Sequence, residues 1–174
     1  MVEWPHNPFS AWVDQQLTRL GQLVSWLWLL LLAVIVLNVV MRYVFGEGRI
    51  EFEEIQWHLY AIGFLLGLSY ANVTDSHVRV DVVRARLKPR HQAWIELYGI
   101  LLLLLPFLVM VIFYSIPFVE YSFLNSEVSE APGGLPFRWV IKSFLLIGFV
   151  LLLVSSIARL SRVWIYLFGE DDGR

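Results

Sequence analysis

The residues best able to do chemistry lie close together: Glu51, Glu53, Glu54 and His58. Glu51, Glu54 and His58 follow i, i+3, i+7, so on a helix they share one face. Carboxylates at the mouth of a membrane span can hold a cation or relay a proton. They can also face water and pair with Arg42 or Arg49 across a short hairpin, or meet the charges of a partner protein. The absence of acidic residues deep in any apolar stretch favours these last two readings, because a carrier of ions needs a polar site near mid-membrane. His58 could ligate haem, but haem needs a second axial ligand at the same depth. The other histidines, His6, His77 and His91, fall toward the opposite side, and His77 lies ~28 Å from His58 along a helix. A hydrogen bond from His58 back to Glu54 is the ordinary alternative.

The remaining chemistry-bearing residues are few. Arg79 and Asp81 alternate within His-Val-Arg-Val-Asp at 77–81, where they can fix a partner's charges or form a solvated helix exit. Glu127 and Glu130 precede a Pro-Gly-Gly-Leu-Pro run at 132–136. No phosphate-binding glycine loop, nucleophile elbow or metal-spaced histidine pair occurs. The chain has no cysteine, which excludes disulfides, zinc–thiolate sites and cysteine-ligated clusters. A formal net charge of −2 with no basic run points away from nucleic acid. No catalytic residue, metal or cofactor is expected.

The elements that position these groups are apolar helices. Hydrophobic residues make up 58% and charged residues 16% of the 174 residues. With a mean hydropathy of +0.65, the chain is too apolar for a soluble domain. Ile55 to Thr74 is 20 residues without Asp, Glu, Lys or Arg, roughly 30 Å as a helix and one hydrocarbon thickness. Leu20–Met41, Leu97–Val119 and Trp139–Ala158 read as three more spans, with Lys142 near enough to an end to snorkel. Asn38, a strongly polar residue deep in the first, reads as an inter-helix hydrogen bond. Pro106, in the middle of the third, predicts a kink. Gly63, Gly67 and Ala71 fall at four-residue spacing, a stripe that lets another helix approach closely.

The expected fold is therefore an all-α integral membrane protein: one domain over 1–174 with four transmembrane helices, about 20–41, 55–74, 97–119 and 139–158. N- and C-terminal segments are expected to be interfacial and helical. Ser10 is the expected N-cap of the first, whose stripe is Phe9, Trp12, Val13, Leu17 and Leu20; Trp164, Ile165, Leu167 and Phe168 mark the last. Lys and Arg number nine on the side of both termini and the 75–96 loop, and four on the other. That excess predicts that the termini and the 77–81 motif are cytoplasmic. The Glu51–Glu54 cluster and the 121–138 loop then face outward.

Arg42-Tyr43-Val44-Phe45 leaving the first span, Glu53-Glu54 opening the second and His77-Val78-Arg79-Val80-Asp81 after it form an ordered set. On these motifs, from about Leu20 to Arg162, the chain resembles the small membrane subunit (Q-type, DctQ-like) of tripartite ATP-independent periplasmic (TRAP) transporters. Members often carry Trp-x-Glu-Glu where this chain has Glu51-Phe52-Glu53-Glu54, with its aromatic one position closer. Trp57-His58 and the 133–139 run look like a branch linked to organic monoacids or 2-oxo acids. The resemblance implies a large membrane subunit that carries substrate and sodium, and a periplasmic binding protein that delivers the substrate. The small subunit would brace the one and help dock the other, in contact with lipid in the bacterial inner membrane. On that reading Gly63, Gly67 and Ala71 form a packing seam. Arg42, Glu53, Glu54, His58, Glu127 and Glu130 make outer contacts, and Arg79 and Asp81 make cytoplasmic ones. A membrane anchor of a respiratory enzyme and a self-sufficient small carrier are the alternatives.

Overall fold

A computed structural model of the chain describes residues 4–77 and 87–169. Among these every regular element is a helix: α1 Pro8–Val24, α2 Trp26–Val44, α3 Ile50–Val73, α4 Pro89–Tyr98, α5 Leu105–Leu124 and α6 Arg138–Phe168, with a π-helical segment Gly99–Leu104 joining α4 to α5. Arg79 and Asp81 lie outside the described residues.

α1 is capped by Asn7, three residues before the expected Ser10. The Asn7 side chain accepts the Ser10 amide at 2.6 Å while Ser10 Oγ accepts the Asn7 amide at 3.0 Å. Pro8 explains the early start: its fixed φ suits the first helical position, where its missing N–H costs nothing. Ser10 thus closes a capping box from the third position. Ser25, between α1 and α2, keeps helical dihedrals, and its hydroxyl donates to the Gly21 carbonyl at 2.9 Å, a back-bond that commonly bends a helix. Pro8–Val44 is consequently one 37-residue apolar unit, ~55 Å at helical rise.

The first two helices turn back at Gly46, whose φ of +70° suits a residue without Cβ. Pro106 acts upstream of its own position. It cannot donate to residue 102, and its ring crowds that carbonyl; the preceding turn widens, and the Leu105 amide bonds Ile100 oxygen. The expected kink is therefore met by a π segment.

α6 is the shaft of the bundle. It is 31 residues long without interruption and packs against α1, α3, α4 and α5, whereas α2 packs on α3 and only lightly on α1. α6 meets the α3 backbone closely at Gly148: a Cβ there would lie 2.9 Å from the Leu65 carbonyl oxygen. Asn72 of α3 donates to Ser155 Oγ at 2.8 Å within the same interface.

Two apolar cores form at one end of the bundle. Val13 and Leu17 of α1 pack with Ala158, and Trp4 packs with Ala93, Leu97 and Val163. The expected terminal stripes are thus divided. Val13 and Leu17 are buried inside the bundle, while Phe9 and Trp12 stay exposed. The C-terminal stripe continues α6 without a break, with Leu167 packed inward and Trp164 outward.

Three described stretches are long and apolar enough to cross a membrane: Pro8–Val44, Pro89–Leu124 and Arg138–Phe168. α3 has the length, at 24 residues, but Glu51, Glu53, Glu54, Gln56, His58 and Asn72 dilute its apolar content.

Candidate functional site

Polar groups concentrate at the two ends of α6. At its start, the α2–α3 hairpin meets the 125–137 loop. α3 opens with two adjacent carboxylates that point to different neighbours. Glu53 forms an ion pair with Arg42 of α2, both about half exposed. Glu54 turns to the loop, where it accepts the Ser129 hydroxyl and, at 2.6 Å, the Leu135 amide. The Ser129 hydrogen bond, followed by the Leu135 amide, holds the Glu54 carboxyl below its ordinary range. Glu127 binds the Lys142 ammonium and lies 3.9 Å from Arg138, and the Lys142 hydrogen bond lowers its pKa. Lys142 does not extend freely to the surface: it also sits 4.2 Å above the Phe118 ring. Glu130 is exposed.

His58 lies one turn below Glu54. It lines a cavity of about 340 Å³ with Ile62, Leu135, Pro136, Phe137, Val140 and Ile141. Both Glu54 oxygens accept from the loop, and the expected His58–Glu54 hydrogen bond is not formed among the described residues.

Of the small-residue stripe, Gly63 is buried beneath Trp28, where a Cβ would stand 3.2 Å from the indole. A Cβ on Gly67 would meet nothing within 4 Å. Gly67 and Ala71 instead line a groove of about 360 Å³ together with Gly21, Trp28 and Tyr70. Asn38 is buried, but its Oδ1 has no hydrogen-bond partner among the described residues, and neither has Gln56 Nε2 of α3.

The far end of α6 carries a second constellation. Arg159, 5% exposed at its side chain, binds Glu96 of α4 at 2.5 Å and Asp75 at 2.8 Å, and donates to the Asn72 carbonyl at 3.2 Å. Arg162, 10% exposed, binds Asp14 of α1 at 3.0 Å. His6 lies 3.6 Å from the same carboxylate, and Asn7 Nδ2 donates to Ser161 Oγ at 3.0 Å. Two arginines thereby fasten α1, the end of α3 and α4 to α6. In the sequence both enter only as members of the Lys and Arg excess on one side, which gives no sign of this network. The signal was present: Gly148, Leu152, Ser155, Arg159 and Arg162 recur at alternating four- and three-residue steps, the inner stripe of a helix.

The arrangement offers structural clamps at both ends of an apolar bundle. The family model of the DctQ component of tripartite ATP-independent periplasmic transporters matches residues 31–165, more than half of the chain. The chain belongs to the DctQ family. Its matched region starts within α2 and ends within α6, so it includes both charged ends. DctQ is a transporter component rather than an enzyme family, and with its apolar helices the chain is a multi-pass membrane protein. Among curated proteins none matches the chain.

Proposed function

We propose that this DctQ-family chain is the small permease subunit of a TRAP transporter. It is one domain that crosses the bacterial inner membrane four times, on α2, α3, the π segment with α5, and α6. In this reading it braces the large membrane subunit and helps dock the periplasmic binding protein during sodium-coupled uptake of an organic acid. The observation that carries the reading is the family match over residues 31–165. The excess of Lys and Arg flanking the Arg159 end supports placing that end and both termini in the cytoplasm. The 125–137 loop, tied by Glu54 and Glu127, then faces the periplasm and is the surface we assign to the binding protein, with Glu130 exposed upon it. Arg42, Glu53 and His58 support the same rim. The groove at Gly63, Gly67 and Ala71 fits close approach of a helix from the large subunit, since Gly67 is open. Arg79 and Asp81 are assigned the cytoplasmic rim from sequence position alone.

Affinity purification from native membranes in mild detergent, followed by mass spectrometry, tests the assignment. A stoichiometric multi-span partner more than about twice this chain's length, the size expected of a subunit that encloses its own transport site, supports it. A monodisperse protein without partner, or one that arrives with a dehydrogenase, overturns it.

A further inference from the structure

Glu53 and Glu54 are neighbours in sequence, but successive residues of a helix point about 100° apart. Glu53 reaches across the hairpin to α2, and Glu54 reaches away from it, to a loop 75 and 81 residues further along the chain. The two groups Glu54 holds are themselves joined, because the Ser129 amide donates to the Leu135 carbonyl at 3.2 Å. One carboxylate thus closes the base of the loop. Arg138 donates to Ser129 Oγ from the other side at 3.4 Å, and the Arg138 amide donates to the Glu127 carbonyl at 3.2 Å.

The segment leaving this base is not in a relaxed conformation. Phe137 enters α6 with φ 63° and ψ 43° and is 66% exposed. A left-handed backbone costs a residue with a Cβ roughly 1–2 kcal/mol, and it persists only when its surroundings hold it. Leu135, whose amide Glu54 binds, is two residues upstream. Leu135, Pro136 and Phe137 also wall the cavity over His58. The same carboxylate therefore governs the loop base, the strained entry to α6 and that wall.

We infer that Glu54 is a positioning residue, which fixes the shape of the 125–137 loop and so the surface presented to the binding protein. This rests on the docking role proposed above for the loop. Glu54 acts through the loop and need not touch the partner.

The native chain has no cysteine, so labelling it at V128C, an exposed loop position, before it is combined with its partner subunit confines the spin label to the loop of the assembled transporter. The E54Q variant keeps the side-chain shape and removes the charge from both hydrogen bonds. It is expected to give a more mobile label and an affinity for the soluble binding component weaker by about fivefold, the ratio that corresponds to ~1 kcal/mol. E47Q, which alters an exposed carboxylate paired with Arg49 at the same end, is expected to leave both unchanged. A label as immobile in E54Q as in the parent overturns the inference. A loosened label with unchanged affinity upholds the positioning role and overturns the docking role of the loop. Should E54Q fail to assemble, S129A removes one donor and leaves the carboxylate. A more mobile label in S129A supports the inference, and an unchanged one refutes it.

Discussion

Removing Arg159 is the most informative single perturbation of this bundle. Its guanidinium is almost fully buried and satisfies two carboxylates, Glu96 and Asp75, and one backbone carbonyl, that of Asn72. Arg159→Ala removes from a partly dry site the guanidinium that bridges both carboxylates. Truncating one partner of a buried ion pair costs about 3–5 kcal/mol, chiefly through the charge left behind. Glu96 and Asp75 keep some solvent contact, at 17% and 27%, so the lower end applies, about 3 kcal/mol. For a chain of this size, each kcal/mol moves the thermal midpoint by roughly 2–4 °C, so the expected fall is about 6–12 °C. The assay is a thermal unfolding scan of the detergent-solubilised protein, with exposed Arg90→Ala as control. Arg159→Ala combined with Glu96→Gln should cost less than the two single changes together, because both changes remove the same ion pair. A midpoint within about 1 °C of the parent for Arg159→Ala, similar to a surface change, would refute the argument and mean that water already solvates the cluster.

Three further outcomes follow from other parts of the molecule. The Glu54 and Glu127 carboxyls titrate below their ordinary range in the folded chain. Their contribution is therefore present above the unfolded carboxylate pKa and disappears as pH falls through the lowered folded values; protease cleavage of the 125–137 loop should rise only in that acidic window, and cleavage constant with pH would contradict it. Asn38→Leu removes a buried acceptor left without a partner, a group that costs about 1–3 kcal/mol, so the variant should unfold at the same temperature as the parent or higher. Gly148→Val should force α3 and α6 apart, since even a Cβ would stand 2.9 Å from the Leu65 oxygen, at a cost of about 1–3 kcal/mol. Gly67→Ala meets nothing within 4 Å and should be neutral or slightly stabilising for the isolated chain; equal thermal stability of these two glycine variants would count against the packing described.

The all-helical fold and the family were legible because each rests on local pattern. An uninterrupted apolar run of membrane length predicts a helix with little help from tertiary context, and the Arg42–Phe45 and Glu53–Glu54 motifs carried the family resemblance. What depends on where helices lie against one another was less legible. The Gly63/Gly67/Ala71 stripe is prominent in the sequence, but a close approach to the backbone of another helix occurs at Gly148, a single glycine with no small residue four positions away. Arg159 and Arg162 read as the basic flank of a span because their acidic partners come from three distant segments. The pairing of Glu53 with Arg42 was within reach, since a short hairpin brings the two together. The attachment of Glu54 to Ser129 was not, because a loop closure across 75 residues leaves no periodic trace.

α6 holds Lys142 at one end and Arg159, 17 positions further along the same unbroken helix, at the other, about 26 Å away. The first is tied to the 125–137 loop through Glu127, the second to α3 and α4, and Arg162 three residues on to α1. A continuous helix passes torsion along its length, because winding it far from 3.6 residues per turn strains its own hydrogen bonds. A twist applied at the loop therefore reaches the α1/α4 end reduced only by the elastic winding of α6, unless one of the ionic ties lets go. The chain behaves as a torque rod whose fittings are Glu127 on one side and Asp14, Asp75 and Glu96 on the other.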